Sequence, residues 1–144
     1  MFNIEISLAA ISDAPLARGR IQLDDFSESF ECSLEFWKSF DYQRQWREAV
    51  ARLLEGASKS CLITSITDPK TANFFIWWPI YNMGETVAVQ NHVCMLDSLS
   101  EVFDLDALDK HVPDREIINE DGHCISEWLV DMTSLRYWLK SQSI

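Results

Sequence analysis

The stretch Phe74-Phe75-Ile76-Trp77-Trp78-Pro79-Ile80-Tyr81 constrains this chain more than any other. Its aromatic and branched side chains suit a strand, read here as Asn73 to Tyr81. Successive side chains of a strand point to opposite faces, so Trp77 and Trp78 cannot share one. Either helices cover both faces of the sheet or one indole meets water. Pro79 cannot donate to a ladder and belongs at a strand end, an edge or a bulge.

The rest of the chain can supply that cover. It has 144 residues, 47% of them hydrophobic, with six Trp and eight Phe, so it can bury one core without disulfides or metal. We read 1–144 as a single domain, with no internal repeat or linker. Residues 1–17 lack a clear period and read as a loose lead-in ending near Pro15. The apolar run from Ile6 to Ile11 has Glu5 before it and no cation until Arg18, which argues against a signal peptide. Arg20–Asp24 and Ser27–Ser33 alternate as a hairpin, with Ile21 and Leu23 on one face.

Helical spacing of Tyr42, Trp46, Ala49, Val50, Leu53 and Leu54 predicts a helix over 41–55, with Asp41 as N-cap and Gly56 as its left-handed stop. Strands are expected at Cys61–Thr67, at the aromatic run and at Thr86–Met95. A short helix follows over Asp104–Val112, stopped by Pro113. Asn119-Glu120-Asp121-Gly122 is a turn. A last strand over Ile125–Val130 leads to a helix from Met132, with Asp131 as cap. The order is that of an α+β domain, mainly antiparallel, with about three helices.

Charge narrows the function. Twelve Lys and Arg against 23 Asp and Glu leave −11. Between Asp97 and Asp131 stand eleven acids and two bases, Lys110 and Arg115, so −9 lies in that one segment. Such a field disfavours nucleic acid and anionic membranes and steers basic partners. No apolar run reaches the roughly 18 residues of a membrane span. Cys32, Cys61, Cys94 and Cys124 are scattered, which fits buried thiols in the cytoplasm.

Catalytic signatures are absent: there is no Gly-rich phosphate loop and no Gly-x-Ser-x-Gly elbow. His92, Cys94, His123 and Cys124 are the right ligand types for zinc, and a small metal-dependent enzyme is one alternative. Buried thiols and surface histidines account for them more simply. The aromatics suggest a stacking platform for single-stranded nucleic acid, but no Lys or Arg interleaves Phe74 to Tyr81 to follow a backbone.

Three spaced groups of residues carry a more specific likeness. They are Trp37, Asp41-Tyr42 and Trp46; then Asn73-Phe74, Trp77, Tyr81, Val87 and Val89-Gln90-Asn91; then Asp121-Gly122, Ile125-Ser126-Glu127-Trp128, Asp131 and Ser134. In this order, over about residues 34–138, the sequence resembles the CdiI immunity proteins of bacterial contact-dependent growth inhibition. The resemblance implies a non-catalytic cytoplasmic protein, without cofactor, that binds the C-terminal toxin domain of its cognate CdiA effector. The branch it looks most like is paired with toxins that cleave ribosomal RNA, and is similar in fold to the Whirly single-stranded-DNA-binding proteins. A Whirly-like nucleic-acid binder is the second alternative, although the basic surface it needs is not evident. RNA-cleaving domains are usually basic, so an acidic face suits their inhibitor. Asp104, Asp106, Asp109, Asp114, Glu116, Glu120 and Asp121 are the candidate toxin-binding residues.

Overall fold

In the computed structural model, which describes residues 1–7 and 14–142, the aromatic run is the centre of a five-stranded antiparallel sheet. A three-stranded sheet precedes it: β1 (Phe2–Ile6), β2 (Leu16–Leu23) and β3 (Phe26–Ser33), in the order β1-β2-β3. Helix α1 (Ser39–Leu54) leads into β4 (Lys59–Ser65), β5 (Phe74–Asn82), β6 (Thr86–Gln90) and β7 (His92–Met95). A long segment with short 3₁₀ turns at Leu96–Ser98 and Leu105–His111 then reaches β8 (Glu127–Asp131) and α2 (Met132–Ser141). The larger sheet runs β4-β5-β6-β8, with β7 also on β5.

Residues 2–6 are therefore not part of a loose lead-in. Phe2, Ile4 and Ile6 alternate inward and pair with β2 from Phe2↔Leu23 to Ile6↔Gly19. That period is plain within five residues, but the apolar run after Ile6 hides where it stops. Most of that run, Leu8 to Ile11, lies outside the described residues. The hairpin after it forms as expected, with Ile21 and Leu23 buried together. Its turn places Asp24 at a φ of 55°.

Helix α1 starts two residues before the predicted boundary. Lys38 is the N-cap, and Asp41 sits at the third helical position, its carboxylate accepting the Lys38 N–H at 2.9 Å. Asp41 thus caps the helix from inside, where a carboxylate also meets the positive end of the dipole. The other end matches expectation. Gly56, at a φ of 113°, donates to the Leu53 carbonyl, and Ala57 donates to that of Arg52. These are the two bonds of a Schellman stop.

Pro79 is inside β5 rather than at its end. The pairs Ile80↔Val89 and Trp77↔His92 belong to one register, so β6 and β7 are one run broken at Asn91. The Leu96 N–H donates to the Asn73 carbonyl, which sets the alternation and puts the Pro79 nitrogen towards Gln90. A donor is missing there, and the partner strand breaks beside it. Trp77 and Trp78 are both buried. Phe75 and Phe103 lie on the Trp77 side. Trp128 packs against Trp78 with ring centres 5.6 Å apart, and Phe26 of the smaller sheet stacks on Trp128. Both faces are covered, so neither indole offers a stacking platform.

Helix α1 closes the free edge of β4 with side chains. Gln45 donates to the Cys61 carbonyl at 2.8 Å and accepts the Ile63 N–H at 2.9 Å. The Trp46 indole donates to the Ile63 carbonyl, and the Tyr42 hydroxyl accepts the Ile66 N–H and donates to the Ser33 carbonyl. One helical face thereby joins the last strand of the small sheet to the first of the large one. Replacing Gln45→Leu strands a buried carbonyl and a buried N–H. It should lower unfolding stability by about 1–3 kcal/mol in urea titrations, with little change in the denaturant slope.

Candidate functional site

Residues 96–126 contain no long strand or α-helix, yet they are fastened to the sheet at several points. Phe103 packs on Phe75 with ring centres 5.4 Å apart and stacks on His111. Leu108 and Val112 are buried, and the Tyr81 hydroxyl donates to the Pro113 carbonyl at 3.0 Å. The expected helix over 104–112 is a 3₁₀ segment, Leu105–His111, kinked at Ala107. Its loop closes on itself, since the Asp104 N–H donates to His111 Nε2 at 2.9 Å. Burial and the neighbouring Lys110 lower the His111 pKa, which suits an imidazole that accepts a hydrogen bond.

The seven candidate carboxylates do not share one role. Asp109 is bidentate to Arg52 of α1, at 2.8 and 3.2 Å, and also accepts from Ser60 of β4. Asp114 is 97% exposed but meets Lys59 at 3.0 Å. Asp104 caps the 3₁₀ segment by accepting the Asp106 N–H, with Lys110 at 3.9 Å. Asp106, Glu116, Glu120 and Asp121 are exposed and form no ion pair among the described residues. Glu120 and Asp121 form the tip of a small hairpin, closed by the bridge Ile118↔Cys124 and by Gly122 at a φ of 81°. Between α1 and residues 105–110 lies a groove of about 390 Å³, with Trp37, Arg44 and Asp106 among its walls.

A polar network anchors the base of that hairpin. Gln90 is buried, and its amide nitrogen donates to the Glu116 carbonyl at 2.9 Å and to Glu127 at 2.8 Å. Arg115 grips Glu127 with two bonds, at 2.8 and 2.6 Å. His92 Nε2 meets the other atom of the Gln90 amide at 2.7 Å. Gln90 and Glu127 are structural groups, therefore, whereas Asn91 is exposed.

The zinc-like grouping does not form. His92 is engaged with Gln90, burial pushes the Cys94 thiol up to about 11, and Cys124 is exposed on the hairpin. No set of three His, Cys, Asp or Glu side chains placed to hold an ion occurs among the described residues. Cys32 is buried likewise, with its pKa raised to about 12. Sequence reading missed Val102, Ile117 and Ile118, which are exposed amid the acids. The adjacent Ile117-Ile118 pair beside a strong turn was the signal available for them.

Comparison with known proteins bears on what this surface serves. The sequence model described as the CdiI N-terminal domain matches residues 32–138, most of the chain. The chain belongs to this family. A curated relative, the immunity protein CdiI of Enterobacter cloacae subsp. cloacae, is 30% identical over 115 residues, 80% of this chain and 79% of the relative. A solved structure titled as the CdiA-CT/CdiI toxin and immunity complex from Enterobacter cloacae holds a chain that superposes with a TM-score of 0.88. That match has 28% identity and covers 98% of this chain and 97% of the other. The α+β architecture is thus shared with this member over nearly the whole chain, while about seven residues in ten differ.

Glu127 provides a pH test of the site's frame. Arg115 holds its carboxyl below the ordinary value of 4.5, with Gln90 adding to that and burial opposing it. The stability that the charged form adds is present above 4.5 and is lost as pH falls through the lower, folded value. Wild type should therefore exceed Glu127→Gln in thermal stability near neutrality. The gap should shrink steadily below about pH 4.5 in melts taken across the acid range.

Proposed function

We propose that this chain is a non-catalytic immunity protein that binds the C-terminal toxin domain of a cognate CdiA effector in the cytoplasm and neutralises it by occupying its active site or its route to substrate. The observation that carries the proposal is the near-complete structural match to a chain from a toxin and immunity complex. In the further detail of this reading, the toxin is a basic nuclease that cleaves RNA. The inhibitor meets it with the surface that holds most of its own negative charge.

The physics of protection supports this assignment. A toxin that grips phosphates carries a cationic cleft, and carboxylates can take the place of those phosphates. Effective immunity requires dissociation constants on the order of nanomolar, about −12 kcal/mol. Long-range charge speeds encounter, whereas buried contacts set residence time. Asp106, Glu116, Glu120 and Asp121 are the carboxylates available for encounter. Asp104 and Asp114 contribute to the same field while paired loosely at the surface. Asp109 shapes the surface through Arg52 rather than by touching the partner. Val102, Ile117 and Ile118 supply the apolar area that charge alone lacks.

Three measurements test this reading and divide these roles. Co-expression with the cognate toxin domain should restore growth; failure to rescue would remove the proposal. Neutralising Asp106, Glu116, Glu120 and Asp121 together should slow association by about tenfold or more at low salt and flatten its salt dependence. Asp109→Asn should instead lower the melting temperature and leave the salt dependence of association in place.

A further inference from the structure

Among the described residues, five of the eight strands have an edge that no other strand occupies, and the structure treats those edges differently. Side chains of α1 bond the β4 edge, and the Trp138 indole of α2 donates to the Ile4 carbonyl on β1. The β3 edge carries Glu28 and Glu31. On β8 the alternation set by the bond from Met132 to Glu85 turns Glu127, Leu129 and Asp131 outward, so charge guards that edge too. Strand β7 has no such protection among the described residues. It pairs with β5 alone among the described strands. The bond from Leu96 to Asn73 directs the backbone of Cys94 and His92 at β5 and that of Val93 and Met95 away from it.

Two outward N–H and two outward C=O groups on β7 therefore have no backbone partner among the described residues, and the side chains beside them are apolar and exposed. Val93 is 56% exposed and Met95 44%. The register places Met95 opposite Phe74, itself 50% exposed, and Val93 opposite Ile76, all on one face. The smaller sheet covers that face at Trp78 and Trp128 and leaves this corner bare. Acids stand at both ends of the strand. Asp97 follows Met95 by two residues, and Glu116 is held by Gln90, two residues before His92. Glu120 and Asp121 extend from the Glu116 end.

We propose that β7 is a docking edge to which an extended, basic segment of the toxin domain adds as a further strand. Backbone bonds to Val93 and Met95 set the register, Phe74 and Met95 receive an apolar side chain, and the flanking carboxylates receive cations. This inference rests on the toxin-binding reading above and specifies where on the molecule part of that contact is made.

Hydrogen exchange on the wild-type chain with and without the purified cognate toxin domain tests it directly. The Val93 and Met95 amides should exchange rapidly in the free protein and slow at least about tenfold in the complex, while the Cys94 amide is protected in both states. Val93→Pro and Met95→Pro remove outward donors that the β5 ladder does not use, so the fold should persist. Each should weaken toxin binding by about tenfold, the equivalent of one or two lost backbone bonds. Leu129→Pro, at the matching position on β8, should leave binding unchanged. If wild type binds the toxin but the Val93 and Met95 amides gain no protection, the docking edge is refuted and the immunity reading stands. Self-association through β7, abolished by Val93→Pro with toxin binding intact, would refute it equally. If wild type neither binds nor protects, both readings fall together.

Discussion

The set of bonds from one face of α1 to the backbone of β4 organises the molecule. Tyr42, Gln45 and Trp46 lie on adjacent turns and reach Ser33, Cys61, Ile63 and Ile66, which span the end of one sheet and the edge of the next. Buried backbone groups without partners are costly, so this arrangement permits a strand to end a sheet inside the protein. With α1 fixed on β4, Arg52 on its last turn comes within reach of Asp109, and the acidic segment is pinned from the same helix. The frame that closes the core thus also positions the charged surface.

A chain with most of its negative charge in one 35-residue segment risks repelling that segment from the fold. Cations counter this. Arg52, Lys59, Lys110 and Arg115 each take one carboxylate, while apolar anchors at Phe103, Leu108, Val112 and Tyr81 hold the intervening chain down. What projects beyond them is a firmly based set of acids with no ion pair among the described residues. A surface of that kind loses little entropy when a cationic partner arrives.

Local periodicity carried much of the fold. The faces of β2, the body of α1, the Gly56 stop and the start of α2 at Met132 were all legible, because each depends on neighbours within a few residues. Misreadings arose where a local signal had two meanings. Asp41 has the chemistry of an N-cap and serves as the acid three positions in. The alternation of Phe2, Ile4 and Ile6 merged with the apolar run after it. Pro79 was expected at a strand end, an edge or a bulge, whereas it is internal to β5 and the partner strand breaks beside it.

The sequence by itself determined that Trp77 and Trp78 lie on opposite faces of one strand, that the fold was α+β, and that the negative charge was concentrated after Asp97. Each of these follows from residue type and spacing alone. Only the tertiary structure decided which of those acids are available. Asp109 finds Arg52 across 57 residues and Asp114 finds Lys59 across 55, contacts that no local period encodes. The same holds for the sheet edges. Whether an edge is bonded by a helix, guarded by charge or left open depends on how distant elements pack, and on that packing β7 is left uncovered by the described residues.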